Sequence, residues 1–334
     1  MAAQALDPLS KLVTVFGGSG FLGRHVVRAL ARRGYRIRVA VRRPDLAGHL
    51  QPLGRVGQIH AVQANLRFKN SVEAAVQGAN AVINLVGIMQ ETGRQRFDAV
   101  QAFGARAVAQ ATAGAGASLV HVSALGADPK SASLYARTKA AGEEAVFTTV
   151  PEAIVFRPSV VFGPEDAFFN RFAALARMLP VIPLVGADSR FQPVFAGDVA
   201  EAIARAVDGT VAGGRVYELG GPQVRSLREI LDYILKVTGR SRLVLPLSFG
   251  LGRAQAAVLE TLDKLTFGLM PDEFVLTRDQ VTLLRTDNVV SEVAIAEGRT
   301  LEGLGIQPEA VEAIVPTYLW RFRERGQFEQ THLA

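Results

Sequence analysis

The chain has 334 residues, 49% hydrophobic and 20% charged, with a formal net charge of +6 and no cysteine. Such a length buries a full core in one large domain or two ordinary ones, and the composition excludes a disordered chain, a disulfide framework and thiol chemistry. No apolar run approaches the roughly twenty residues that span a bilayer; the histidines lack metal-ligand spacing and the first residues lack a basic segment ahead of an apolar one, so neither a bound metal nor a signal peptide is expected.

The positive charge is concentrated. Residues 1–60 hold Lys11 and nine arginines against Asp7 and Asp45, a net of +8, so the remainder is slightly acidic. A basic first lobe suits an anionic cofactor, an acidic partner, nucleic acid or a membrane face. Arg24, Arg28 and Arg32 recur every four residues, as on any solvated helix face.

The first half alternates two periods. LVTVFG (12–17) reads as a buried strand and FLGRHVVRALARRG (21–34) as a helix ended by Gly34. Strands follow at YRIRVAV (35–41) and GQIHAVQ (57–63), a helix at SVEAAVQGA (71–79), and a strand at NAVINLVG (80–87). Next come a helix over 94–116, a strand at ASLVHVSAL (117–125), a helix at SLYARTKAAGEEAV (133–146) and a strand at EAIVFRPS (152–159). Repeating strand–helix units of this size predict an α/β Rossmann-type fold, a doubly wound parallel sheet covered on both faces.

Beyond VVFGPED the rhythm changes: a helix at 168–179, then strand–helix pairs over 190–207 and 215–239. The spacing predicts a nucleotide-binding domain over 1–163, with elements near 191–220 returning to it, and a smaller, mostly helical lobe over 164–334 for substrate or partner docking. The apolar stretch from Arg242 to about Met270, with Leu251, Leu262 and Phe267, is interrupted by charges and reads as lobe core or a partly exposed docking helix. Asp198 reads as a helix N-cap and Trp320 as core or contact surface.

GGSGFLG carries the nucleotide signal. Gly17, Gly18, Ser19, Gly20, Phe21, Leu22 and Gly23 join a strand to a helix, and both Gly18-x-Gly20-x-x-Gly23 and Gly17-x-x-Gly20-x-x-Gly23 fit. Either spacing puts a glycine at the sharp turn, Gly20 where backbone approaches a pyrophosphate, and Gly23 where helix packs on strand. The helix N-terminus then offers free N–H groups and its positive dipole end. Where an NAD site carries a carboxylate for the ribose 2′-OH, this chain reads Val41-Arg42-Arg43, which suits a 2′-phosphate and favours NADP(H) over NAD(H). Asn65 and Leu66 follow the third strand, where the adenine is expected. Val86 and Gly87 end the fourth, where backbone passes the cofactor.

Tyr135-Ala-Arg-Thr-Lys139 puts a phenol and an ammonium on one helical face. With the glycines, this YxxxK resembles the short-chain dehydrogenase/reductase superfamily in its extended or atypical branch. The resemblance implies Tyr135 as general acid/base, Lys139 as its tuner and ribose ligand, and Ser123 as the substrate-oxygen ligand. A nearby ammonium together with the charge of the oxidised nicotinamide is expected to lower the tyrosine pKa. Such enzymes end the fifth strand with two hydroxyl residues; here HVSAL puts Ala124 in the second place, leaving Ser123, Ser131 or Ser133 to substitute. Arg157-Pro158 with Gly163-Pro164 matches the superfamily's RPxxxxGP turn near the nicotinamide end.

The segments GQIHAVQANLRFKNSVEAAV, HVSALGADPKSASLYARTKAAGE, PEAIVFRPSVVFGPED, LTRDQVTLLRTDN (276–288) and LEGLGI (301–306) extend the likeness over nearly the whole chain. They are similar to the family of nucleotide-binding accessory subunits of respiratory complex I, its alphaproteobacterial members in particular. That resemblance implies a structural NADPH, hydride transfer absent or vestigial, complex I subunits as partners, and peripheral contact with the cytoplasmic face of the inner membrane, the matrix side in a mitochondrion. The alternative is an active NADP-dependent reductase or epimerase using Tyr135, Lys139 and Ser123 on a small molecule. A redox sensor or RNA-binding member ranks below both, because the basic lobe lacks interleaved aromatics to stack on bases, so no nucleic acid is expected.

Overall fold

The structure is a computed structural model that describes residues 11–93, 95–266 and 275–326. Phe267 and Met270 of the apolar stretch, Arg94, and the first ten residues lie outside them. In chain order the elements are β1 (Leu12–Phe16), α1 (Phe21–Arg32), β2 (Arg36–Val41), β3 (Ile59–Gln63), α2 (Lys69–Val76), β4 (Ala81–Asn84), α3 (Gly104–Ala115), β5 (Ser118–Val122), α4 (Leu134–Thr149) and β6 (Ile154–Pro158). There follow β7 (Val161–Phe162), α5 (Phe168–Met178), β8 (Val181–Val185), β9 (Arg190–Phe191), β10 (Val194–Phe195), α6 (Ala196–Asp208), β11 (Arg215–Leu219), β12 (Arg225–Ser226) and α7 (Leu227–Thr238). β13 (Leu243–Leu247), α8 (Phe249–Leu265), α9 (Arg278–Leu283) and short helical turns complete the described chain.

Seven strands form one sheet in the order β11-β6-β5-β4-β1-β2-β3, every neighbouring pair parallel. β1 sits where the strand order reverses, with β2 and β3 on one side and β4, β5 and β6 on the other. In open parallel sheets that reversal opens a crevice at the carboxyl ends of the strands, which positions a ligand. Both faces are covered. On one face Val13 and Val15 of β1 pack with Val27 and Leu30 of α1 and Ile203 of α6; on the other Phe16, Val82 and Val155 of the strands pack with Val72 of α2, Val108 of α3 and Val146 of α4. Each fully buried side chain of this size contributes about 1.5–3 kcal/mol. A separate core, with Phe162, Phe169, Ile182, Ile230 and Leu319, organises the second lobe around α5, α7 and the parallel β8–β13 pair.

Several elements differ from the sequence pattern. Pro44–Leu53, unassigned there, forms a 3₁₀ stretch with proline in its first turn that buries Ala47 and Leu50. The helix expected over 94–116 begins at Asp98 with a π-helical Asp98–Phe103 before α3. Around it Gln101 accepts from Thr138 at 2.8 Å and donates to the Ile88 carbonyl at 2.8 Å, which fixes α4 to the loop after β4. Asp198 is not an N-cap: Phe195 holds that place, and Asp198 sits in the first turn of α6 accepting from the Glu309 amide at 2.8 Å. Trp320 is 38% exposed and its indole N–H goes to the Thr317 carbonyl, so it lies at the surface.

Candidate functional site

The glycine loop closes on itself. Gly17 turns at φ +78, its carbonyl accepts from the Gly20 amide at 3.1 Å, and Gly20 is the N-cap of α1. A methyl group on Gly23 would stand 2.3 Å from the Gly17 oxygen, and one on Gly18 would stand 2.8 Å from Val39. All four glycines are therefore used: Gly17 for the turn, Gly18 for packing on β2, Gly20 for the open N-terminus, Gly23 for helix–strand contact. Among the described residues no side chain caps α1, and no acidic residue stands in its first turn, so its leading N–H groups beside Ser19 and Phe21 are left open to an anion. Leu22 packs on the core from the same turn.

Past β2 the two arginines differ. Arg42 is exposed and makes no side-chain bond among the described residues, whereas Arg43 pairs with Asp45 through Nε at 3.0 Å and Nη2 at 2.7 Å. Asp45 thus holds one of the two guanidiniums, a pairing within the 3₁₀ stretch that the Val41-Arg42-Arg43 pattern does not reveal. Asn65 closes the turn before α2, accepting from the Arg67 amide, and Leu66 packs against Gly104. The Val86 amide is taken by the Asn84 carboxamide, so this residue offers its side chain, beside Gly17.

At the ends of β4 and β5 stand Lys139, Tyr135 and Ser123. The Lys139 Nζ donates to the Val122 carbonyl at 3.4 Å, lies 5.9 Å from the Tyr135 ring centroid, and would meet a Cβ on Gly87 at 3.1 Å. Gly87 thus gives room to the lysine. Burial pulls the Lys139 ammonium down to about 8, with Glu143 opposing. Burial also pushes the Tyr135 phenol up, because desolvation penalises its charged form. Its ring packs edge-on against Phe97 at 5.8 Å. His121, buried beneath, meets Asn84 at 3.2 Å, and burial with the Lys139 charge holds it down to about 3, so it is neutral.

Ser123 donates its amide to Phe156, but its buried Oγ has no partner among the described residues, and Ala124 beside it carries no hydroxyl. Ser133 caps α4 and donates to Asp279 at 2.7 Å, while the Ser131 hydroxyl accepts from the Ser133 amide. Pro158 ends β6, its carbonyl accepting from Leu125 at 3.0 Å. Behind it, Arg157 grips Glu143 of α4 through two bonds of 2.9 and 2.6 Å. The crowded glycine loop, the uncapped helix start and the orphaned Ser123 hydroxyl together fit a dinucleotide.

Sequence reasoning missed three organisers. Asp279 binds the start of α4; Asp166 accepts from Gly163, Phe169 and the Tyr318 hydroxyl; Glu165 pairs with Arg24 at 2.9 Å. All three lie in segments that carry the family likeness, Glu165 and Asp166 in PEAIVFRPSVVFGPED and Asp279 in LTRDQVTLLRTDN, but no periodicity or spacing marks their roles. Among the described residues no helix is long and apolar enough to cross a membrane, and no cluster of metal-ligating side chains occurs.

Residues 13–220 match the model of the NAD dependent epimerase/dehydratase family. The mitochondrial NADH dehydrogenase [ubiquinone] 1 alpha subcomplex subunit 9 of Mus musculus is 38% identical over 306 residues, 90% of this chain and 78% of that protein. A ceramide reductase of Caulobacter vibrioides is 36% identical over 189 residues, 57% of this chain and 58% of that one. Among solved structures, the NADPH-dependent quinone oxidoreductase of Escherichia coli complexed with NADPH superposes with a TM-score of 0.71 at 21% identity, covering 92% of this chain and 99% of that one.

Proposed function

The chain belongs to the NAD dependent epimerase/dehydratase family, and from that premise we propose that it is an accessory subunit of respiratory complex I that holds NADP(H) as a fixed part. The observation that carries this is the extent of the likeness. The complex I subunit of Mus musculus matches 90% of this chain, second lobe included, whereas the ceramide reductase matches 57%. The site agrees with holding. Burial raises the Tyr135 pKa, Ala124 carries no substrate-side hydroxyl, and Ser133 spends its hydroxyl on Asp279.

When bound, the nucleotide supplies a hydride donor or acceptor at its nicotinamide ring. The chain's own residues grip and orient. The first amides of α1 would take the pyrophosphate, Arg42 the 2′-phosphate, and Lys139 the nicotinamide ribose, with Gly17 and Gly87 allowing backbone and lysine to come close. Arg42, with no side-chain partner among the described residues, supports NADP(H) over NAD(H). The same reading makes the protein peripheral, on the cytoplasmic face of the inner membrane or its matrix face in a mitochondrion.

A second reading, an NADP-dependent reductase, draws on the Tyr135–Lys139 pair, whose ammonium lies 5.9 Å from the phenol ring centroid. One experiment separates the two. The tagged chain is extracted from native membranes in mild detergent, resolved by native electrophoresis, and its nucleotide released and identified. Co-migration with NADH:quinone oxidoreductase and near-stoichiometric NADPH is expected. A free protein with exchangeable nucleotide, turning over carbonyl substrates in a way abolished by Tyr135→Phe, overturns the proposal in favour of the reductase.

A further inference from the structure

Residues 277–290 of the second lobe return to the first domain, at the start of α4 and just past β5 and β6. Thr277 begins α9 with a reciprocal cap to Gln280, which aims the next residues at the start of α4. There Asp279 accepts from the Ser133 hydroxyl at 2.7 Å, the Leu134 amide at 2.7 Å and the Tyr135 amide at 3.3 Å. Helix starts leave N–H groups unsatisfied and carry positive partial charge, so a carboxylate from another segment is well matched there. The donors are the first residues of the helix that carries Tyr135 and Lys139.

Further along, the chain is fastened to the other rims of the same crevice. Asn288 accepts from the Ser159 hydroxyl at 2.6 Å, just past β6, and its carboxamide points to the Leu125 carbonyl just past β5 at 3.5 Å. Val290 packs with Leu125. Residues 275–291 therefore touch the segments following β5 and β6 and the start of α4, the three places that frame Ser123 and Tyr135.

We propose that residues 275–291 form a strap closing the nicotinamide end of the nucleotide site, and that Asp279 is its latch, a positioning residue acting through the first turn of α4. The inference rests on the nucleotide-holding reading above and extends it. A cofactor kept for structure needs a slow exit, and a latch tied to the helix of Lys139 makes exit require breaking the Asp279 contacts. Asp279→Ala removes every acceptor. Asp279→Asn keeps one oxygen for Leu134 and loses the acceptor for Ser133 and Tyr135, so its effect is intermediate.

The test uses the full chain with NADPH as probe. NADPH release is followed after a chase with excess unlabelled nucleotide, and iodide quenching of nicotinamide fluorescence reports access to the crevice. Amide exchange over 133–136 and 277–291 reports the latch with no nucleotide present. Asp279→Ala is expected to speed release at least about fivefold, as charged hydrogen bonds of this kind allow, to raise quenching, and to speed exchange in those two segments while leaving α1 unchanged. Asp279→Asn falls between it and the parent, and carries the test should the alanine variant fail to fold by circular dichroism. Unchanged exchange in the strap and α4 overturns the latch, as does faster exchange without faster release. A parent chain that takes up no NADPH overturns the nucleotide-holding reading instead, and exchange alone then decides the latch.

Discussion

Gly23→Ala and Gly87→Ala add the same methyl group at two walls of one crevice, and the structure separates their outcomes. At Gly23 the new Cβ stands 2.3 Å from the Gly17 oxygen and 2.6 Å from the Gly18 Cα and carbonyl carbon. All three are backbone atoms of the tight turn, so relief requires about 1 Å of movement between α1 and the end of β1. Overpacking of this kind costs about 1–3 kcal/mol, and the upper end applies because nothing flexible can yield. If the cost falls on the nucleotide-ready conformation, affinity drops by about 5- to 150-fold, since 1.4 kcal/mol is a factor of ten. At Gly87 the new Cβ stands 3.1 Å from the Lys139 Nζ, the tip of a side chain that can shift by a few tenths of an ångström. That variant keeps its melting temperature and loses little affinity. The assays are a thermal melt and NADPH titration by fluorescence on purified chains. Equal affinities for the two variants would refute the view that the backbone approach at Gly23, rather than general crowding, builds the cradle.

Lys139 ties stability to pH. Its folded pKa is lowered to about 8 from 10.5, so between those values the unfolded chain binds a proton that the folded one does not. Stability is reduced below about pH 8 and recovers as pH rises toward 10.5, by on the order of 3 kcal/mol; Lys139→Met should remove that slope in denaturant titrations at pH 7 to 10.5. Glu143→Ala leaves Arg157 without its bidentate partner in a mostly enclosed setting and should cost about 3 kcal/mol by urea unfolding, with the Glu143→Leu, Arg157→Leu pair costing less. Arg42→Ala should lower NADPH affinity about tenfold relative to NADH, the worth of a charged hydrogen bond. Asp45→Ala should raise NADPH affinity by releasing Arg43, and no change in either variant's NADPH-to-NADH ratio counts against the 2′-phosphate assignment.

What the chain's own order made legible were features carried by neighbouring residues. Alternation of period two and period 3.6 located every strand of the main sheet before β11 to within a few residues, and the Gly17–Gly23 run marked the cradle because turn, close approach and helix start all fall within seven positions. Tyr135 and Lys139 were readable because four residues make one helical turn. Folding in three dimensions decided the rest. That Arg43 is held by Asp45, that Gly87 makes room for Lys139, and that burial raises the Tyr135 pKa all depend on contacts no spacing encodes. Asp279 shows it most plainly: 144 positions from Tyr135 along the chain, it caps that residue's helix. A lone carboxylate gives no periodic signal, and only the path of the strap over the crevice sets what its charge meets.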